Sequence, residues 1–213
     1  ALEDNFKQFS RYKNIALTEI NFDLLNTVDE ISWLNANNKK ALFFHLNNGE
    51  KIDPLLLSED NVSTVFRGVR IHQQSLPKDL LEFIAAYGTP ILPKWAIHTD
   101  DFIIMTEDDS FLKQIIGAHL DGKTLSNDLN FKKMQEGLAD NSSYLWVGKT
   151  KNLTNLWHEG LKDKSVGWKK IDLTKYPLLG LQGISEDGFI QTRFTVQSNN
   201  IDQNENSVTN QYS

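Results

Sequence analysis

The segment Gly117-Ala-His-Leu-Asp-Gly-Lys-Thr124 satisfies the phosphate-loop pattern G-x-x-x-x-G-K-[ST]. In that chemistry a glycine-rich turn aims backbone N–H groups and a lysine at nucleotide phosphates. The turn must lie between a buried strand and the positive N-terminal end of a helix. The flanking residues place it elsewhere. Phe111, Leu112, Ile115, Ile116 and Leu120 form one apolar stripe at the helical period, and Thr106, Glu107, Asp108 and Asp109 supply a cap and first-turn acids. Gly117 then falls in the last turns of a helix over Asp108 to Leu120, with Gly122 as its C-terminal stop. The motif sits at the carbonyl end, Asp121 adds a carboxylate where phosphate would lie, and no apolar strand ends in a second, magnesium-binding Asp. No nucleotide or other cofactor is expected.

The densest acidic group is His98, Asp100 and Asp101 with Glu107, Asp108 and Asp109 beyond one strand, which could hold a hard cation through oxygen. Turn and helix-cap chemistry explains the same residues without a metal. His119 and Asp121 lie two apart and His158 and Glu159 are adjacent, so neither pair puts two ligands on one helical face as H-x-x-x-H does. No G-x-S-x-G elbow is present, so a Ser-His-Asp site would have to be assembled from distant residues. The sequence therefore indicates no catalytic residue, no metal site and no enzyme. Of the five tryptophans, Trp33 and Trp146 read as core, on a helix stripe and in an apolar strand. Trp157 and Trp168 have polar neighbours and are the candidate surface interaction residues.

These groups must be carried by a chain of 213 residues that is 39% hydrophobic, with 12 Phe and 5 Trp, enough for a sizeable core. A net charge of −6 and only four arginines (Arg11, Arg67, Arg70, Arg193) argue against nucleic acid as a partner. No apolar run approaches the roughly 18 residues a membrane-crossing helix needs. Cysteine is absent, which excludes disulfides and thiol chemistry and fits a periplasmic or lipoprotein domain. A start at Ala1 without methionine is expected of a processed or trimmed chain.

Along the chain, Ala1 to Lys13 reads as an amphipathic lead-in, Ile15 to Ile20 as a strand and Phe22 to Asn35 as a helix ended by Asn37-Asn38. Ala41 to Leu46 and Val62 to His72 read as strands, and Pro77 to Tyr87 as a helix closed by Gly88. Trp95 to His98 and Phe102 to Met105 form a strand pair. Asn127 to Leu138 reads as a helix, Tyr144 to Val147 as a strand and Leu153 to Leu161 as a helix. Leu179 to Ile184 and Phe189 to Gln197 form a hairpin through Glu186-Asp187-Gly188, and Ile190, Thr192, Phe194 and Val196 alternate with polar residues on a wet face. Ile116 and Phe194 are expected to be buried, most simply against each other, with Arg193 in water. The fold class expected is α+β: a mostly antiparallel sheet packed with several helices in two layers. It occupies residues 1–197 as a single domain, or as two subdomains meeting near 88–94, followed by a polar linker or disordered tail over 198–213.

The blocks Asp101-Phe-Ile-Ile-Met-Thr-Glu-Asp-Asp-Ser-Phe-Leu-Lys-Gln-Ile-Ile, Gly122-Lys-Thr-Leu-Ser-Asn-Asp-Leu-Asn-Phe and Asn141-Ser-Ser-Tyr-Leu-Trp-Val, with Tyr176-Pro-Leu-Leu-Gly-Leu-Gln and Asp187-Gly-Phe-Ile, cover roughly the second half of the chain. This half resembles an uncharacterised family of exported Bacteroidetes-type proteins, catalogued as a domain of unknown function. The resemblance implies export and, in some relatives, a further β-rich domain after a polar linker, and it carries over no catalytic residue. The expectation is a non-catalytic extracytoplasmic structural or interaction module of a larger cell-envelope protein, with a protein partner or a downstream domain of the same chain. The alternative is a ligand-binding domain, for example for glycans, or an enzyme whose site is assembled from distant residues.

Overall fold

The computed structural model describes residues 27–47, 62–99, 101–139, 142–150, 175–186 and 189–198. The expected elements at Ala1 to Lys13, Ile15 to Ile20 and Leu153 to Leu161, the turn residues Asp187 and Gly188, and the tail beyond Ser198 lie outside them. The chain forms two compact units that divide between Asp121 and Gly122.

In the first unit, β1 (Val28–Ala36) and β2 (Lys39–Leu46) form a hairpin. The region read as a helix from Phe22 to Asn35 is thus a strand from Val28 onward. Val28, Ile31 and Leu34 recur every third residue and mimic a helical stripe. The deciding residues are Asn37 and Asn38, with φ of 51° and 61°, which make the left-handed two-residue turn that matches strand twist. A second hairpin joins β3 (Ser63–Phe66) to β4 (Val69–Gln73), where one continuous strand was expected. Its turn is Arg67-Gly68, at φ of 50° and 84°. After α1 (Lys78–Tyr87), whose N-cap is Pro77, come β5 (Trp95–His98), β6 (Phe102–Thr106) and α2 (Asp109–Leu120). The six strands run in the order β1-β2-β6-β5-β4-β3, each antiparallel to its neighbour.

Strand alternation sends successive side chains to opposite faces, and each face of this sheet carries one helix. Leu42, Phe44, Leu46, Ile103 and Met105 pack with Leu80, Phe83 and Ile84 of α1. Ala41, Ile71, Ile97 and Ile104 pack with Phe111, Leu112 and Ile116 of α2. This corrects the expected two-layer sheet packed with several helices. Antiparallel sheet dominates, the helices are few, and the larger sheet has one helix on each face. The run Ala-Leu-Phe-Phe-His-Leu in β2 is near-continuously apolar for that reason, as strands buried on both sides are.

The second unit contains a 3-10 turn (Leu125–Asn127), α3 (Leu129–Gln135) and a three-stranded antiparallel sheet of β7 (Tyr144–Lys149), β8 (Leu178–Glu186) and β9 (Phe189–Gln197) in that order. Asp128 caps α3 by accepting from the N–H groups of Asn130 and Phe131 at 2.8 and 3.2 Å. The helix is seven residues long, shorter than the expected span to Leu138. Its buried side chain Met134 lies over Gly180, where a Cβ would approach the Met134 sulfur to 3.3 Å.

Candidate interaction surface

The phosphate-loop match lies at the wrong end of α2, as its flanks indicate. Asp108 caps the N-terminus, accepting from Ser110 N–H at 2.8 Å and Phe111 N–H at 3.3 Å. Gly117 is inside the helix, Asp121 follows its last residue and donates its N–H to the Gly117 carbonyl at 2.9 Å, and Gly122 has the left-handed φ of 69° that ends a helix. The Asp121 carboxylate takes a hydrogen bond from Arg67 Nη1 at 2.9 Å. Helix carbonyls and a carboxylate repel phosphate.

Of the acidic group, Asp100 lies outside the described residues, and the carboxylates of Glu107, Asp108 and Asp109 are engaged in local structure. The Asp101 carbonyl accepts from Leu46 N–H at one end of β6. At the other end Glu107 accepts from Leu92 N–H at 2.8 Å, Asp108 pairs with Lys39 at 2.7 Å and Asp109 with Lys113 at 2.8 Å. Five strand residues at about 3.3 Å each separate the two ends by roughly 15 Å. The Lys39 ammonium and the Ser110 hydroxyl hold the Asp108 carboxyl well below the usual carboxylate range. Among the described residues no three His, Asp or Glu side chains converge as metal ligands. His119 lies in the last turn of α2. His158, Glu159, Trp157 and Trp168 lie outside the described residues. One His-Asp pair does form: His45 Nδ1 lies 2.6 Å from Asp29 Oδ1, with the Phe102 ring 4.9 Å from the imidazole.

The distinctive surface is in the second unit. Register places Tyr144, Trp146 and Gly148 of β7 on one face with Gly183, Leu181 and Leu179 of β8 and with Thr192, Phe194 and Val196 of β9. The other face carries Gly180, Gln182 and Thr195, and that is the face α3 covers. Met134 sits over Gly180. The buried Gln182 amide accepts from Ala139 N–H at 2.9 Å and donates to the Ala139 carbonyl at 3.0 Å. This reverses the expected orientation of β9. Phe194 is 48% exposed and Val196 40%, on the face with Trp146 at 40% and Tyr144 at 48%. Arg193 is half-buried on the helix side. Ile116 is buried as expected, within the first unit's own sheet and helix, in a cluster that does not include Phe194.

Trp146 therefore belongs to an open surface, whereas Trp33, on β1 rather than a helix, packs half-buried over Gly88. Two glycines shape the aromatic face. A Cβ at Gly183 would run into the Tyr144 ring, and one at Gly148 into the Trp146 indole, so both rings lie down on bare backbone. Glycine inside a strand marks such close approaches. Gly180 and Gly183 in β8 were the available signal that a helix and a ring crowd opposite faces of that strand. Comparison of this chain with protein-family models, with curated proteins and with solved structures finds no match.

Proposed function

We propose that this chain is a non-catalytic interaction module of an exported cell-envelope protein, and that it engages a protein partner through the aromatic face of the small sheet. The observation that carries the reading is the grouping of Tyr144, Trp146, Phe194 and Val196, each at least 40% exposed, on one sheet face. Aromatic residues are enriched at interfaces and supply most hot spots, and monomers rarely leave a contiguous apolar patch open without a use for it. The exported, envelope part of the reading is supported by the sequence resemblance and the cysteine-free composition.

A second reading, glycan binding, is favoured by the way Tyr144 and Trp146 lie flat over Gly183 and Gly148. Rings held against the sheet present a face on which a sugar's C–H groups can stack. One experiment separates the two. A photo-crosslinking phenylalanine analogue at Val196, in the native host, is expected to give a defined protein adduct that Trp146→Ala abolishes. Absence of any protein adduct, with wild-type but not Trp146→Ala protein sedimenting with insoluble polysaccharide, would replace the first reading by the second. Failure of both would remove the surface from consideration.

A further inference from the structure

In the first unit, α1 leaves part of its own sheet face open. Six strands about 4.8 Å apart span roughly 24 Å, and a helix about 10 Å across cannot cover them. The apolar cluster under α1 draws on β1, β2 and β6 and reaches β5 only through Ala96, and no residue of β3 or β4 belongs to it. On this face β4 presents Arg70 and His72 while Val69 and Ile71 turn to the α2 side. His72 pairs with Ala96 of β5, and His98 is the next β5 residue on the same face. From β3, Ser63 lies opposite His72 and Val65 opposite Arg70, and both are exposed.

We propose that Arg70, His72 and His98 form a binding site for an oxyanion, a phosphate or carboxylate group of a small soluble molecule, whose affinity increases as His72 protonates. Three groups able to carry positive charge stand together in a chain of net charge −6. Among the described residues none of the three has a hydrogen-bond or ion-pair partner. Around His72, β3 brings no ionisable group, β4 brings Arg70 and β5 brings His98. The turn before β6 carries Asp101, and α1 carries Lys78, Asp79 and Glu82, of which Lys78 and Glu82 pair with each other. Burial, then the charges of Arg70 and His98, push the His72 imidazole below its ordinary value. Like-charge strain of this kind is relieved by an anion. The guanidinium offers a bidentate fork, and protonated imidazoles add N–H donors. The same Arg70 charge disfavours a metal cation on the two histidines.

The test is imidazole NMR of the full chain titrated with sodium sulfate, whose charge is constant over the range used, and in a parallel arm with citrate to distinguish carboxylate from tetrahedral oxyanion. At about pH 5.5 both His72 and His98 resonances should shift saturably, with affinity about tenfold or more weaker near pH 8. Arg70→Ala, at an exposed position that should leave the circular dichroism spectrum unchanged, should lose about tenfold or more. His72→Gln should flatten the pH dependence. No saturable shift with either anion up to tens of millimolar, equal affinity in Arg70→Ala, or binding of zinc but not of anions by the two imidazoles would each overturn the proposal.

Discussion

Replacing Gln182 tests whether one buried amide organises the helix-covered face of the small sheet. Its side chain is 1% exposed and forms two hydrogen bonds with the Ala139 backbone, at 2.9 and 3.0 Å. Gln182→Ala removes both. A typical internal hydrogen bond contributes about 0.5–1.5 kcal/mol net, and a buried partner left unsatisfied costs about 1–3 kcal/mol. Ala139 is half-buried, so water reaches its backbone and the lower end applies there. Adding the void left by the amide gives an expected loss of about 2–4 kcal/mol. Gln182→Glu keeps the shape and is more diagnostic. A carboxylate can still accept from Ala139 N–H, but its second oxygen then faces the Ala139 carbonyl. Burial and that repulsion both disfavour the ionised form, so the folded-state pKa rises above the roughly 4.3 of a free Glu. The folded state then holds the proton more tightly than the unfolded chain. The variant's stability is fully present below the unfolded pKa and is lost as pH rises through the folded one. In urea melts, with hydrogen exchange read over residues 178–197, Gln182→Glu should approach wild type near pH 4 and fall at least as low as Gln182→Ala near pH 7.5. A Glu variant equally stable at both values, or an Ala variant costing under about 0.5 kcal/mol, would refute this account of the face.

Leu112→Ala, at a fully buried position under the large sheet, should cost about 2–5 kcal/mol in urea melts. Phe194→Ala, on the open face, should cost about 1 kcal/mol or less, as surface changes do. Gly183→Ala places a methyl group where the Tyr144 ring lies, so it should destabilise by about 1–3 kcal/mol or expel the ring, visible as altered Tyr144 NMR shifts. His72, depressed below 6.5 in the folded state, makes the unfolded chain the better proton acceptor; its contribution to stability is intact above 6.5 and lost as pH falls through the folded value. His72→Gln should therefore flatten the pH dependence of the melting temperature on the acid side of 6.5, and an unchanged slope would show that His72 does not set it.

Elements bounded by local chemistry were legible in the sequence. The Asp108 cap and Gly122 stop framed α2, Pro77 and Gly88 framed α1, and strict alternation from Phe189 to Gln197 gave β9. What failed was set by distant partners. Ile31 and Trp33 face the α1 side because β2 pairs beside them, and a threefold recurrence of Val28, Ile31 and Leu34 fits a helix until that pairing is known. The hairpin within Val62 to His72 had a local signal in Gly68, but Arg67 at φ 50° is a conformation that residue rarely adopts.

The aromatic face shows the limit most plainly. Alternation establishes that β9 has two chemically distinct sides, and the hydrophobic effect sends the apolar one inward only if something apolar is there to meet it. In this unit α3 offers the sheet one buried side chain, Met134, and it seats over Gly180 beside Thr195 and the hydrogen-bonded Gln182. Where the short helix lies, Gly180, Thr195 and Gln182 fit it closely, while Leu145 of β7 on the same side stays exposed. The bulky side, with Tyr144, Trp146 and Phe194, cannot lie under such a helix without lifting it off the sheet. The orientation is thus the reverse of the one that polarity alone assigns, and it leaves Tyr144, Trp146 and Phe194 facing outward.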